Sequence, residues 1–199
     1  MTTRRDLSQL RADYENRVAV GSRASPVVLV LTGALNPIHR AHIKALQTAR
    51  SFLEREGKFV VVRGLLSPTH DGYVSGKLGK QALRGTVRLE LVQLSAREAG
   101  VGDWLSADGW EVNHPDGFVD FPEVVRELQR QIDADGEIAR LKHEGRPPLR
   151  VYYVCGSDHA LRCGIAYSTL PTVCLSRPGS DYSRLQDTIA RRKNTLLYS

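Results

Sequence analysis

Two histidines one helical turn apart, just after an Asn-Pro, are the first residues in this sequence that could do chemistry. The stretch Thr32 to His42 reads Thr-Gly-Ala-Leu-Asn-Pro-Ile-His-Arg-Ala-His. It leaves a continuous apolar run, Val27 to Leu31, and enters a segment whose apolar residues recur at helical spacing. Gly33 lets backbone approach a ligand with no Cβ in the way. The free N–H groups and dipole of the following helix start favour a phosphate. His39 and His42 project from one face of the first turn, where two imidazoles could donate hydrogen bonds to phosphoryl oxygens. The alternative for such a pair is capping or packing. Two other phosphate signatures are absent, since there is neither G-x-x-x-x-G-K-[ST] nor a G-x-G-x-x-G after the strand.

The elements that must position these residues follow from hydrophobic spacing. Residues 6–19 read as a surface helix, and Val27 to Leu31 as a strand buried on both faces. A helix is expected over 38–55 and a second strand from Phe59 to Val62. Another helix is expected over 84–97, with Val87, Leu91 and Leu94 on its inner face. Trp104 to Ala107 suits a short strand and Phe121 to Glu144 a long helix. Strands at Val151–Val154 and Thr172–Leu175, a helix over 181–193 and a final strand from Thr195 complete the pattern. Strands alternating with helices imply an α/β fold, a doubly wound parallel sheet of about five strands. In such sheets ligands sit at the carboxyl ends of the strands, which directs attention to the loops after Leu31, Val62 and Val154. The expected organisation is an N-terminal helix and linker over 1–25, followed by one domain over 26–199.

Composition narrows the class. The chain has 199 residues, 41% hydrophobic and 25% charged, as expected of a folded domain. No apolar run is long enough for a membrane span. Twenty-eight basic against 22 acidic residues give a net charge of +6, which favours anionic partners. The surplus is scattered and not a basic stripe with interleaved aromatics, which argues against nucleic acid. Cys155, Cys163 and Cys174 form no C-x-x-C pair, so neither a disulfide framework nor a zinc site is indicated. They read as small buried residues in a reducing compartment. Residues 1–23 lack the apolar stretch of a secretory signal, and Asp6, Asp13 and Glu15 argue against a transit peptide. The expected location is cytoplasmic, nuclear or both.

The stretch GALNPIHRAH resembles the G-x-F-N-P-x-H-x-x-H signature of the nucleotidyltransferase superfamily. Four further stretches resemble the eukaryotic-type nicotinamide/nicotinate mononucleotide adenylyltransferases within it. LLSPTHDGY (65–73) is similar to that family's S-P-V-N-D-x-Y loop, and DWLSADGWE (103–111) to its W-x-x-V-D-x-W-E. VCGSD (154–158) is similar to its C-G-A-D, and LSRPG (175–179) to its strand ending in Arg and Gly. The motifs keep the family's order and run from residue 32 to 179.

The resemblance implies a Rossmann-like nucleotidyltransferase fold. It implies transfer of the adenylyl group of ATP to a pyridine mononucleotide, giving NAD or deamido-NAD and pyrophosphate, with Mg²⁺ held through substrate phosphates and water. It assigns Gly33, Ala34, Leu35, His39, His42, Lys77, Gly156, Asp158 and Arg177 to ATP, with His42 and His39 as the catalytic pair. Asn36, Ser67, Trp110 and Glu111 fall on the pyridine mononucleotide side, Trp110 as the plate that stacks on the ring. The alternatives are a core tryptophan at 110, an N-cap at Asp158 and ordinary solvated lysines at Lys77 and Lys80. Arg88 would either assist at the phosphates or form a surface ion pair, and Trp104 reads as packing. Relatives are often homo-oligomers, which is implied here at the same level.

The sequence also departs from the family. Leu35 replaces an aromatic, His70 stands where Asn is common, and the stretch between Asp158 and Thr172 is short and lacks a tryptophan. The I-S-S-T-x-x-R segment is missing after the last strand, which suggests a truncated or naturally short form. Two other functions therefore stay open: a catalytically weak nucleotide-binding relative, and a nucleotidyltransferase for another phosphorylated acceptor.

Overall fold

A computed structural model describes residues 4–165, 169–176 and 195–198, and for the last stretch only its strand. Arg177 and the helix expected over 181–193 lie outside the described residues. Among the described residues six parallel strands form one sheet in the order β3-β2-β1-β4-β5-β6. They are β1 (Ser25–Gly33), β2 (Phe59–Pro68), β3 (Leu105–Ala107), β4 (Arg150–Gly156), β5 (Thr172–Leu175) and β6 (Thr195–Tyr198). The helices are α1 (Ser8–Arg17), α2 (Arg40–Glu54), α3 (Asp71–Leu78), α4 (Gly85–Glu98), α5 (Phe121–Asp133), α6 (Gly136–His143) and α7 (Ser157–Arg162). The chain winds outward from β1 to β3, then crosses back to β4 on the other side of β1. The crevice beyond β1 and β4 is therefore the switch point where doubly wound folds bind ligands.

The apolar run of β1 serves two cores. Val28 and Val30 join a cluster with Leu10, Tyr14, Leu128, Ile132 and Leu141. Val27, Leu29 and Leu31 join another with Leu46, Ala49, Val92 and Leu105 on the opposite face. Each such side chain contributes about 1.5–3 kcal/mol through burial, which anchors the strand that carries the Gly33 loop.

Four local readings change. The α1 segment is not a surface helix: Leu7, Leu10, Tyr14 and Val18 are buried in the first core. A buried pair, Asp13 to Arg63 at 2.6 Å, and a Tyr14 hydroxyl donated to the Pro147 carbonyl at 2.6 Å hold it there. On α4 the buried positions are Gly85, Arg88, Val92 and Ala96, whereas Val87 is 39% and Leu94 51% exposed. The inner face had been displaced because it centres on an arginine. The long helix expected from Phe121 is two, because the Asp135 carboxylate accepts from the N–H groups of Glu137 and Ile138 and starts α6 afresh. The loop after β2 contains a helix, α3, whose N-cap His70 accepts from Gly72 N–H. Cys155 and Cys174 are buried and Cys163 is exposed, all three as free thiols.

Candidate active site

A cavity of about 320 Å³ opens at the carboxyl ends of β1 and β4. Its wall includes Gly33, Ala34, His42, Lys77, Glu111, Gly156 and Asp158. Residues more than a hundred positions apart, Gly33 and Asp158 among them, thus meet around one space.

His42 is oriented by the backbone. Its Nδ1 accepts the His39 N–H at 3.2 Å, and the two rings lie 3.8 Å apart. A ring nitrogen that accepts carries no proton, so neutral His42 carries its hydrogen on Nε2 and is a donor there. His39 is exposed and does not line the cavity; its main chain fixes the tautomer of His42. Leu35 is buried and takes a positive φ of 45°, a region few non-glycine residues adopt. Arg88 braces that loop. It is fully buried, donating to the carbonyls of Ala34 at 2.7 Å and Leu83 at 3.1 Å and to Asp71 at 2.5 Å. It is therefore neither a phosphate ligand nor a surface ion pair. Asn36 braces the loop too, donating to the Gln81 carbonyl and accepting from Leu83 N–H.

Gly33 tests the ligand idea from the protein's side. A Cβ added there would meet only Leu35 Cδ2, at 3.9 Å, an ordinary contact. The fold alone does not demand glycine at this place, whereas a phosphate close against the backbone does. We expect Gly33→Ala to leave the melting temperature unchanged or slightly higher. Nucleotide affinity, by titration calorimetry, should fall at least tenfold.

Glu111 lines the cavity, and Ser67, expected on the acceptor side, is buried behind it and does not line the cavity. Ser67 Oγ donates to Glu111 Oε2 at 3.0 Å. Burial raises the Glu111 pKa to about 7, opposed by hydrogen bonds from Ser67 and Thr69 and reinforced by Asp108. A carboxyl that ionises harder in the folded than in the unfolded chain makes stability fall as pH rises between about 4.5 and 7, then level off. The predicted loss across that window is about 3 kcal/mol, read by denaturant titration at pH 5 and pH 8. Glu111→Gln should abolish it, becoming the more stable protein at pH 8 and not at pH 5.

Trp110 is placed elsewhere. It is 4% exposed and lines a separate cavity of about 500 Å³, not the one with His42. The Arg5 guanidinium lies over its ring at 4.6 Å, held by Asp108, whose carboxylate also accepts the Trp110 N–H. One indole face is thus taken by a side chain from the N-terminal segment. Trp104 packs against Gly64 with Arg50 over it, as a core residue should.

The 320 Å³ cavity also holds residues to which the sequence assigned no role. Thr32 Oγ1, Tyr153 Oη and His159 Nε2 form a chain of two 3.3 Å contacts along its β4 side. Burial lowers the His159 pKa, keeping that ring neutral, and raises that of Tyr153, keeping it a donor. Phe121 stacks on Tyr153, while Tyr73 and Phe118 stack at the mouth. The signal available in the sequence was the aromatic content of the loop before α5. Lys77 is exposed at the cavity wall and Lys80 lies outside it. Asp158 also lines the wall and pairs with Arg162 at 3.3 Å.

No family model matches the chain. Over 85 residues it is 40% identical to nicotinamide/nicotinic acid mononucleotide adenylyltransferase 2 of Xenopus tropicalis, spanning 43% of this chain and 25% of that protein. Over 150 residues it is 26% identical to the nicotinamide-nucleotide adenylyltransferase of Drosophila melanogaster, spanning 66% of this chain and 36% of that one. The match therefore covers well under two thirds of either relative's length. Among solved structures, the Plasmodium falciparum nicotinic acid mononucleotide adenylyltransferase complexed with NaAD superposes with a TM-score of 0.56. That likeness covers 87% of this chain and 74% of the other at 8% identity, so it speaks for the fold. The chain is an α/β protein with a Rossmann-like nucleotidyltransferase fold, and part of its sequence is similar to enzymes named for adenylyl transfer to pyridine mononucleotides.

Proposed function

We propose that this chain is a nucleotidyltransferase that joins the adenylyl group of ATP to nicotinamide or nicotinate mononucleotide. The single observation that carries this reading is the common cavity of Gly33, Ala34, His42, Lys77, Gly156 and Asp158 at the β1/β4 switch point. An oxygen of the mononucleotide 5′-phosphate attacks the α-phosphorus of ATP, and the bond from that phosphorus to the bridging oxygen breaks as pyrophosphate leaves. The attacking oxygen is already anionic, so no general base is required and catalysis consists of positioning and charge stabilisation. His42 donates from Nε2 to a phosphate oxygen, and Lys77 adds positive charge at the wall. Asp158 accepts from ribose hydroxyls.

Mg²⁺ would enter with the incoming nucleotide, held through its phosphates and water. Among the described residues no group of three or more His, Cys, Asp or Glu is arranged to hold a metal, and Mg²⁺ is commonly bound through phosphates and water. Its contribution when bound is to neutralise phosphate charge.

The test is pyrophosphate release from ATP with nicotinamide mononucleotide, nicotinate mononucleotide or phosphopantetheine as acceptor. Release with either pyridine mononucleotide and not with phosphopantetheine is expected. Turnover with phosphopantetheine alone moves the chain to another acceptor. Nucleotide binding with no turnover makes it a binding relative.

A further inference from the structure

We propose that Phe118, backed by Tyr73, is the platform on which the flat cationic ring of the acceptor stacks; this rests on the pyridine mononucleotide reading above. Phe118 is 46% and Tyr73 44% exposed, the two ring centroids are 4.6 Å apart, and their planes differ by 20°. Both line the cavity that contains His42 and Glu111. Tyr73 comes from α3, whereas Phe118 comes from the segment between β3 and α5, just after Gly117 at a φ of 91°. Two elements from different parts of the chain therefore bring large aromatic surfaces together at the mouth of a polar cavity.

Leaving that much apolar surface in water opposes folding at roughly 25 cal/mol per Å², so the pair calls for an occupant. Tyr73 covers one face of Phe118, and what remains accessible is the other face and the edge. Stacking on a phenyl face is what a planar heterocycle seeks, and a positive ring gains further from the negative face of the aromatic. Adenine is neutral and lacks that cation–π gain. Tyr73 and Phe118 follow β2 and β3, whereas Gly156 and Asp158 follow β4 across β1. The two halves of the cavity thus separate an acceptor ring from the nucleotide that donates. Trp110 does not compete for the role, having Arg5 over its ring at 4.6 Å and lying outside this cavity.

The experiment measures binding directly, by calorimetry, with nicotinamide mononucleotide, 1-methylnicotinamide and ATP as probes of wild type, Phe118→Ala and Phe118→Trp. Phe118→Ala should weaken the mononucleotide about tenfold, within the range of one lost stacking contact, and leave ATP within twofold. Phe118→Trp should retain affinity and give a new charge-transfer absorption band when 1-methylnicotinamide is added, a signature that no structural role produces. Equal loss for ATP and the mononucleotide, or no loss for either, overturns the proposal. Pyrophosphate release is scored separately. A stacking loss without turnover leaves the platform standing and removes the transferase reading; turnover without a stacking loss does the reverse.

Discussion

His42→Ala should slow pyrophosphate release by about 10²–10³-fold, the usual effect of removing one donor to charge that develops in the transition state. The ATP KM should change little, because the contact strengthens as the reaction proceeds, and the melting temperature should stay at the wild-type value. His42→Gln, with an amide nitrogen near the place of Nε2, should recover part of the rate. His39→Ala offers the contrast. It keeps the backbone N–H that His42 Nδ1 accepts, so the loss should stay below tenfold. A His42→Ala enzyme with near-wild-type turnover would remove this imidazole from the mechanism, and equal losses at both positions would point to a structural pair.

The second large effect is expected at a residue that touches no substrate. Arg88 ties the Ala34 carbonyl, the Leu83 carbonyl and Asp71 from a fully buried position. Arg88→Met removes the guanidinium and leaves two carbonyls and a carboxylate without it, a loss of about 2–4 kcal/mol by urea denaturation. Asp71 is half exposed, so water takes over part of that contact and the effect sits below the extreme for buried pairs. Turnover in the surviving folded fraction should fall as well, since the carbonyl released belongs to the loop that presents Gly33 and His42. A stability loss below 1 kcal/mol would mean that the loop holds its shape without the tie.

Much of this architecture could be read in advance, and the misreadings share a cause. The run at Val27–Leu31 is apolar throughout, so it announces a strand covered on both faces. The G-A-L-N-P-I-H-R-A-H stretch and the V-C-G-S-D stretch sit at strand ends, where parallel sheets hold ligands, and Gly33, Ala34 and His42 of the first line one cavity with Gly156 and Asp158 of the second, whereas Leu35, Asn36 and His39 do not. What spacing alone could not show was polar burial. Apolar spacing on α4 selects Val87, Leu91 and Leu94, whereas the buried positions centre on Arg88, a residue type seldom buried. Asp135 was read as helix interior, whereas its carboxylate caps a new helix. Trp110 was given an open face because nothing local reveals that Arg5, over a hundred positions away, covers it. Phe118 is an isolated aromatic and carries no period, and Tyr73 closes the L-L-S-P-T-H-D-G-Y stretch, whose resemblance attaches no role to it.

The stitching of α1 has a bearing on how the chain is made. Arg5 N–H bonds to Gln131, Arg11 to Asp135 and Tyr14 to Pro147, separations of 126, 124 and 133 positions. On a ribosome, Leu7, Leu10, Tyr14 and Val18 emerge well before any of those partners has been translated. The nascent segment must wait with its greasy stripe uncovered, an obvious handle for a holding chaperone, and its docking belongs to the late, non-local steps that slow folding.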